Sequence, residues 1–276
     1  MSRSHDLKDI SKNVLLVGAG KMGAAMLQGW LSRGIDPSKL IVLEPQPAEE
    51  IKPLSARGVQ FNPANRPAES GAIVIAVKPQ VADSVVPPLA PMADGSTIVV
   101  SIMAGKTLAF LERALPGKAI VRAMPNTPAA IGRGVTVAVG NARVTSAQRD
   151  LADGLLGAIG AVEWIDDEKL MDAVTAVSGS GPAYVFLLAE SLTRAGITAG
   201  LPPDLAAKLA RETVAGSGEL LHRSALDPAT LRQNVTSPGG TTAAALEILM
   251  AAADGLDPLL AKAIAAATKR SRDLAG

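Results

Sequence analysis

The stretch NVLLVGAGKMGAAMLQGWLSRG, from Asn13 to Gly34, sets the reading of the whole chain. Val14 to Val17 is a short, continuous apolar run, the pattern of a central parallel strand covered on both faces. It leads into Gly18-Ala19-Gly20-Lys21-Met22-Gly23, a G-x-G-x-x-G. Met22, Ala25, Met26, Gly29 and Trp30 then recur at helical spacing and form one apolar stripe. Glycines between a strand and a helix let the backbone come close to a pyrophosphate. The free N–H groups and positive dipole end of the helix then hold its negative charge. Glycines also mark plain turns, but a strand before the motif and a helix after it supply the context a dinucleotide site needs.

Outward from this stretch, composition sets the bounds. The chain has 276 residues, 48% hydrophobic and 19% charged, enough for one large or two ordinary domains with a sizeable core. A formal net charge of +1 gives no electrostatic reason to expect nucleic acid or an acidic membrane surface as a partner. With no cysteine, disulfides, thiolate nucleophiles and cysteine-ligated metals are excluded, and no metal site is expected. MSRSHDLKDISKN lacks an apolar core before its charges and does not read as a secretory signal. The most apolar window, Ala173 to Leu192, is broken by Ser178–Pro182 and carries Glu190, so it reads as buried helix. A soluble, cytoplasmic protein is the expectation.

Strand-like runs recur up to Ile165: Leu40–Leu43, a weak Val59–Phe61, Ala72–Val77, Ile98–Ile102, Ala119–Met124, Val135–Val139 and Ala161–Ile165. Helices are predicted over Thr107–Leu115 and from Thr145, a residue suited to an N-cap, through Ile159. The second strand ends at Glu44-Pro45, where a Rossmann fold places the residue that meets the adenosine ribose. Glu44 either accepts hydrogen bonds from the ribose hydroxyls, disfavouring a 2′-phosphate, or is a solvated loop glutamate. Asn65 and Arg66, in the polar segment after the third strand, are within reach of an adenosine phosphate. Ala76-Val77-Lys78-Pro79 and Met103-Ala104-Gly105 follow strong strands, at the ends that line a ligand crevice. Lys78 is a cofactor or substrate contact or else an exposed strand-end lysine, and the small residues near Gly105 would admit a nicotinamide ribose.

After Ile165 the character changes to alanine-rich helical patterns. They are punctuated at Ser178–Pro182, Gly200–Pro203, Asp227-Pro228, Ser237–Gly240 and Asp257-Pro258. The acidic Asp166-Asp167-Glu168 suits the first turn of a helix. The expectation is therefore an α/β fold, with a parallel-sheet Rossmann domain over 1–165 and an all-helical domain over 166–276. Several of these helices are short of polar faces, which points to a homo-oligomer rather than a monomeric bundle.

The chemistry is narrowed by what is missing. Of two histidines, His5 lies in the tail and His222 late in a helix beside Arg223, so neither is placed to handle a carbonyl proton. An imine is a less demanding hydride acceptor, because it can already carry a proton and needs mainly to be positioned. Hydroxyls and backbone N–H groups for such a substrate occur in Ser237-Pro238-Gly239-Gly240-Thr241-Thr242, just before the run Ala243–Met250. That segment reads either as a small carboxylate-binding nest or as a plain cap by Thr241 or Thr242; the Pro-Gly-Gly before the threonines favours the nest.

GAGKMG, AVKPQ at 76–80, MPNTP at 124–128, SGSGPAYVF at 178–186 and VTSPGGTT at 235–242 together resemble the signature set of the pyrroline-5-carboxylate reductases. The resemblance covers nearly the whole chain from Val14 and implies a Rossmann domain plus a dimerisation domain whose helices interlock with a second subunit, often in rings of dimers. It implies the last step of proline synthesis, in which NADPH or NADH passes hydride to the C=N carbon of pyrroline-5-carboxylate. By the same resemblance, Ser237 to Thr242 hold the substrate carboxylate, and Thr242 hydrogen-bonds the ring nitrogen as acid or orienter. Asn65, Ala76 to Pro79 and Met103 to Gly105 would contact the cofactor, and the SGSGP turn would lie near the nicotinamide; Gly18, Gly20, Lys21, Met22 and Gly23 are the cofactor-binding residues of the glycine loop already read from its context. Glu44 departs from the small or basic residue common in NADPH-preferring members and leaves the nucleotide open. Other enzymes of the same plan, imine reductases and β-hydroxyacid dehydrogenases, would be expected to carry a lysine or another acid around Ala173–Ser191, where no lysine occurs. A dinucleotide sensor without turnover would have no use for the SPGGTT segment.

Overall fold

The computed structural model describes residues 7–64 and 70–275. The first half alternates strand and helix. β1 (Asn13–Val17) leads to α1 (Lys21–Ser32), followed by β2 (Leu40–Leu43), β3 (Gln60–Phe61) and β4 (Ser70–Ile75). The short α2 (Ala82–Val85), β5 (Ile98–Ser101), α3 (Leu108–Ala114), β6 (Ala119–Pro125), β7 (Gly134–Gly140), α4 (Ser146–Gly157) and β8 (Gly160–Trp164) complete it. Among the described residues the strands form one sheet in the order β3-β2-β1-β4-β5-β6-β7-β8. All neighbours run parallel except β6 and β7. The hairpin between them is short, and a parallel return would need a crossover of a dozen or more residues.

The sheet is apolar on both faces. In β1, Val14 and Leu16 pack in one core layer with Met26, Leu27 and Trp30 of α1 and Leu155 and Leu156 of α4. Leu15 and Val17 point the other way, into a layer with Ala82, Val86, Leu111 and Leu115. Trp30 is fully buried and its indole N–H donates to the Leu155 carbonyl at 2.9 Å, so its one polar atom is satisfied. Thr145 caps α4 in a reciprocal capping box with Gln148.

Five longer elements of the second half are helical. After the one-turn α5 (Met171–Val174) and a π-helical turn over Thr175–Gly179 come α6 (Gly181–Thr198) and α7 (Pro203–Arg223). α8 (Pro228–Asn234), α9 (Thr241–Leu249) and α10 (Leu256–Ala275) follow. Asp257-Pro258, a break in the sequence pattern, lies in the first turn of α10, where proline is tolerated. Asp167 caps the turn that begins at Glu168, accepting from the Lys169 N–H.

The chain divides into two compact units. The first runs to Gly179 and includes the stretch from Thr268; the second is Ser180–Ala267. Composition changes after Ile165, but residues 166–179 stay with the sheet. Met171 is buried beside Val137 and Val139, and Glu168 pairs with Arg122 of β6. The tail of α10 joins the same unit, where Ser271 donates to Asp172 at 2.7 Å. Within the second unit α6 packs along α7, and Gly196 admits Ala206 closely. Among the described residues no helix is long and apolar enough to cross a membrane.

Candidate active site

Strand order reverses between β1 and β4, and the carboxyl ends of these strands form the crevice in which open α/β sheets take ligands. Gly18 leaves β1 with φ +91°, and a Cβ there would sit 2.8 Å from the backbone of Ala76. Only glycine fits. The Gly18 N–H donates to Leu43 O and the Ala76 N–H to Val17 O, so the loop is strapped to the strand on either side. Gly23 faces inward, where a Cβ would strike the Gly18 carbonyl, while Gly20 is exposed and open to approach. Gly20 is also the N-cap of α1; no side chain caps that helix, and its first turn carries no acid. An uncapped helix start behind a glycine loop fits a dinucleotide pyrophosphate.

The other residues singled out in this unit fall around the same strand ends. Lys21 is exposed and Met22 half-buried at the start of α1. Ala76 and Val77 are half-buried after β4, Lys78 is exposed, and Pro79 starts a single 3-10 turn. Ala104 is exposed and Gly105 takes φ +73°, but the Met103 side chain is 2% exposed and belongs to the core beneath the crevice. What Met103 offers a ligand is backbone. Asn65 lies outside the described residues, as does Arg66.

Glu44 is not a loosely solvated loop residue. Its carboxylate accepts from the Ala19 N–H inside the glycine loop at 2.9 Å and from the Gln46 N–H at 3.1 Å. A carboxylate therefore stands beside the glycine loop at the end of β2.

In the helical unit, Ser237–Gly240 form a tight turn closed by the Gly240 N–H on Ser237 O at 3.0 Å, with Gly239 at φ +68°. α9 begins at Thr241, and its N-cap is Gly240, with no side-chain cap bond. Neither threonine is the cap. Thr241 is exposed and Thr242 half-buried in the first turn, so their hydroxyls and N–H groups are left to a ligand or solvent. Thr236 is used locally, its hydroxyl donating to Arg232 O at 2.7 Å. His222 is exposed near the end of α7.

Two polar residues lie in segments the sequence singled out, but their partners were not foreseen. Asn126, in MPNTP, accepts from the Val135 N–H at 2.9 Å and donates to Ser178 O at 3.2 Å, tying the β6–β7 hairpin to the SGSGP turn. Glu168 accepts from Arg122 at 2.7 Å and from the Leu108 N–H at 2.8 Å. An arginine within an otherwise apolar strand is the one signal that announces the need for such a partner. Gly179 lets the Met124 side chain in close beneath the π-helical turn, a distortion often found at functional sites.

Residues 168–274 match the family described as pyrroline-5-carboxylate reductase dimerisation, and residues 13–105 that described as NADP oxidoreductase, coenzyme F420-dependent. The chain is 38% identical to the pyrroline-5-carboxylate reductase of Pseudomonas aeruginosa, over 95% of this chain and 96% of that one. It is 40% identical to that of Synechocystis, over 94% and 97%. Among solved structures, the enzyme of Coxiella burnetii superposes with a TM-score of 0.89 at 32% identity, over 96% of this chain and 99% of that chain. The Plasmodium falciparum pyrroline carboxylate reductase, solved with NADP bound, superposes with a TM-score of 0.78 at 30% identity, over 96% and 99%. At 38% and 40% identity over nearly the whole of both chains, and with its helical residues matched to the same family, this protein belongs to the pyrroline-5-carboxylate reductase family.

Proposed function

We propose that the chain reduces 1-pyrroline-5-carboxylate to L-proline, with NADH preferred to NADPH, as a homodimer formed through its helical unit. The observation that carries the substrate reading is the Ser237–Thr242 turn. Hydroxyls and backbone N–H groups gather there at a helix start whose own side chains leave it uncapped. The N–H groups of Thr241 and Thr242 and the positive end of α9 take the substrate carboxylate, with the Ser237 hydroxyl beside them. Thr242, on the first turn, holds the ring nitrogen by its hydroxyl and orients the imine. A protonated imine needs no strong acid from the protein, which accords with the absence of a histidine from the strand ends. Ser237 to Gly240 shape the turn.

Gly18, Gly20, Lys21, Met22 and Gly23 hold the pyrophosphate of the nucleotide, and Ala76 to Pro79 with the Met103–Gly105 backbone line its path toward the nicotinamide. Asn65 is assigned to the adenosine side. When bound, the reduced nicotinamide supplies the hydride that goes to the C=N carbon, while the ring nitrogen keeps the proton. Glu44 supports the nucleotide preference: its carboxylate accepts ribose hydroxyls and repels a 2′-phosphate.

The dimer reading rests on the helical unit's surface. Val185, Phe186, Leu187 and Leu188 are consecutive in α6 and each is at least 47% exposed in the single chain. Consecutive residues point around the helix, so no one neighbour within the chain covers them all.

The test is loss of reduced-nicotinamide absorbance with pyrroline-5-carboxylate, run with NADH and NADPH side by side and with proline assayed as product. Proline formation with a higher kcat/KM for NADH is expected. Saturable nucleotide binding without proline formation would overturn the reaction, and a higher kcat/KM for NADPH the nucleotide preference.

A further inference from the structure

Glu44 is itself held by a residue that the reaction does not touch. Asn62, just past β3, has φ +46°, the one positive value at a non-glycine residue among those described. Asparagine tolerates this left-handed conformation better than most side chains, but still at a cost, so something in the surroundings maintains it. Its backbone N–H donates to Val42 O at 2.8 Å, extending the sheet by one bond. Its side chain then turns onto Glu44: Oδ1 accepts from the Glu44 N–H at 3.0 Å, and Nδ2 donates to the Glu44 carbonyl at 2.8 Å. β2 has ended at Leu43 and β3 at Phe61, so strand pairing no longer serves these two groups. The amide of Asn62 stands in for the missing strand and pairs both backbone groups of one residue.

We propose that Asn62 is the positioning residue for nucleotide choice: by clamping the backbone of Glu44 it fixes the carboxylate on the Ala19 N–H, and so sets the preference for NADH. This rests on the reading that Glu44 disfavours the 2′-phosphate. A glutamate has three side-chain torsions, and on a freely moving backbone its carboxylate would spend much of its time in solvent. Ribose hydroxyls gain from an acceptor that is already in place, and a 2′-phosphate is excluded only while that charge stays put. Releasing the backbone therefore costs NADH binding and relaxes the exclusion of NADPH together.

The experiment measures kcat/KM for both nucleotides in Asn62→Gly, which keeps the left-handed backbone and removes the clamp, and in Asn62→Asp, which keeps the acceptor and loses the donor. The NADH-to-NADPH ratio is expected to fall about tenfold in the glycine variant and less in the aspartate variant, with KM for the imine unchanged at saturating nucleotide. In a Glu44→Ser background, Asn62→Gly should leave the ratio where Glu44→Ser alone has put it. A lowered Tm with an unchanged ratio would make Asn62 merely structural. An equal shift in the Glu44→Ser background would show that it acts by another route. Either result overturns the proposal while Glu44→Ser still shifts the ratio. No shift in Glu44→Ser itself would instead bring down the underlying reading of Glu44, and this proposal with it.

Discussion

Trp30, in the sheet unit, has none of its surface exposed, whereas Phe186, in the helical unit, exposes 62% of its own. The difference holds throughout. Strands β1, β4 and β5 are buried along almost every residue, because helices and 3-10 turns cover both faces of the sheet. In Ser180–Ala267 only Ala206, Ala210 and Gly255 are buried in the single chain, and all are small. A large aliphatic or aromatic side chain gains about 1.5–3 kcal/mol when moved out of water. The sheet unit collects that gain within one chain, while the helical unit, matched to a family described as a dimerisation domain, leaves its large apolar side chains exposed in the single chain, and the proposed homodimer would collect the gain from a second copy. A helix apolar on several faces is thus a statement about quaternary structure, just as a strand apolar on both faces is one about layers.

The comparison breaks most visibly if the helical surface is not an interface. Phe186→Asp is expected to turn the dimer into a monomer in sedimentation velocity and to lower Tm by about 10 °C or more. The sheet unit should still quench or enhance NADH fluorescence on binding. A variant that sediments as the unaltered protein does would place the interface elsewhere.

A smaller loss tests whether the sheet unit's stability is its own. Glu168→Ala leaves the Arg122 guanidinium, whose side chain is 8% exposed, without its carboxylate. About 3 kcal/mol of stability should be lost in urea unfolding, because a buried charge left unpaired costs more than the pair contributes. Arg122→Met together with Glu168→Ala should recover part of the loss. If the double variant is no better than the single one, the pair matters for more than charge.

The smallest effect concerns Asp94 in the turn before β5. Hydrogen bonds from the Ser96 side chain and backbone, with further ones from Thr97, hold its carboxyl at about 2. The folded value lies below the unfolded one of about 3.9, so the stabilisation is complete above that value and drains away as pH falls toward 2. The Tm difference between the unaltered protein and Asp94→Ala should be constant above about pH 5 and shrink below about pH 4. A difference that stays constant down to pH 2 would remove the titrating carboxylate from the explanation.

Much of this was legible in the sequence, for reasons that differ between the units. β2 and β6 were readable almost to the residue because they are short, largely apolar runs bounded by turn residues, the pattern of strands buried on both faces. The reversal of β7 is not carried by the composition of Gly134–Gly140; its signal is the short connection from β6, which a parallel-sheet expectation passes over. The two units part at Gly179, while composition changes at Ile165. Packing of Met171 and pairing of Glu168 depend on β6 and β7, far away in sequence. Motif spacing marked out both the glycine loop and the Ser237–Thr242 turn, each a turn leading into a helix start with no side-chain cap bond. That Gly240 rather than a threonine caps α9, and that Met103 lies in the core, are matters of backbone angle and side-chain direction that spacing does not carry. Asn62 was hidden for the same reason: its role comes from one left-handed φ.

The central claim is a division of labour, with nucleotide held by the sheet unit and substrate by the helical unit. Its most direct measurement pairs NADH affinity, by fluorescence titration, with steady-state kcat/KM for pyrroline-5-carboxylate in Thr242→Ala. The expected result is a kcat/KM lower by about 100-fold with the NADH Kd within about twofold of the unaltered protein. An unchanged kcat/KM, or an NADH Kd weakened by the same factor, would contradict it.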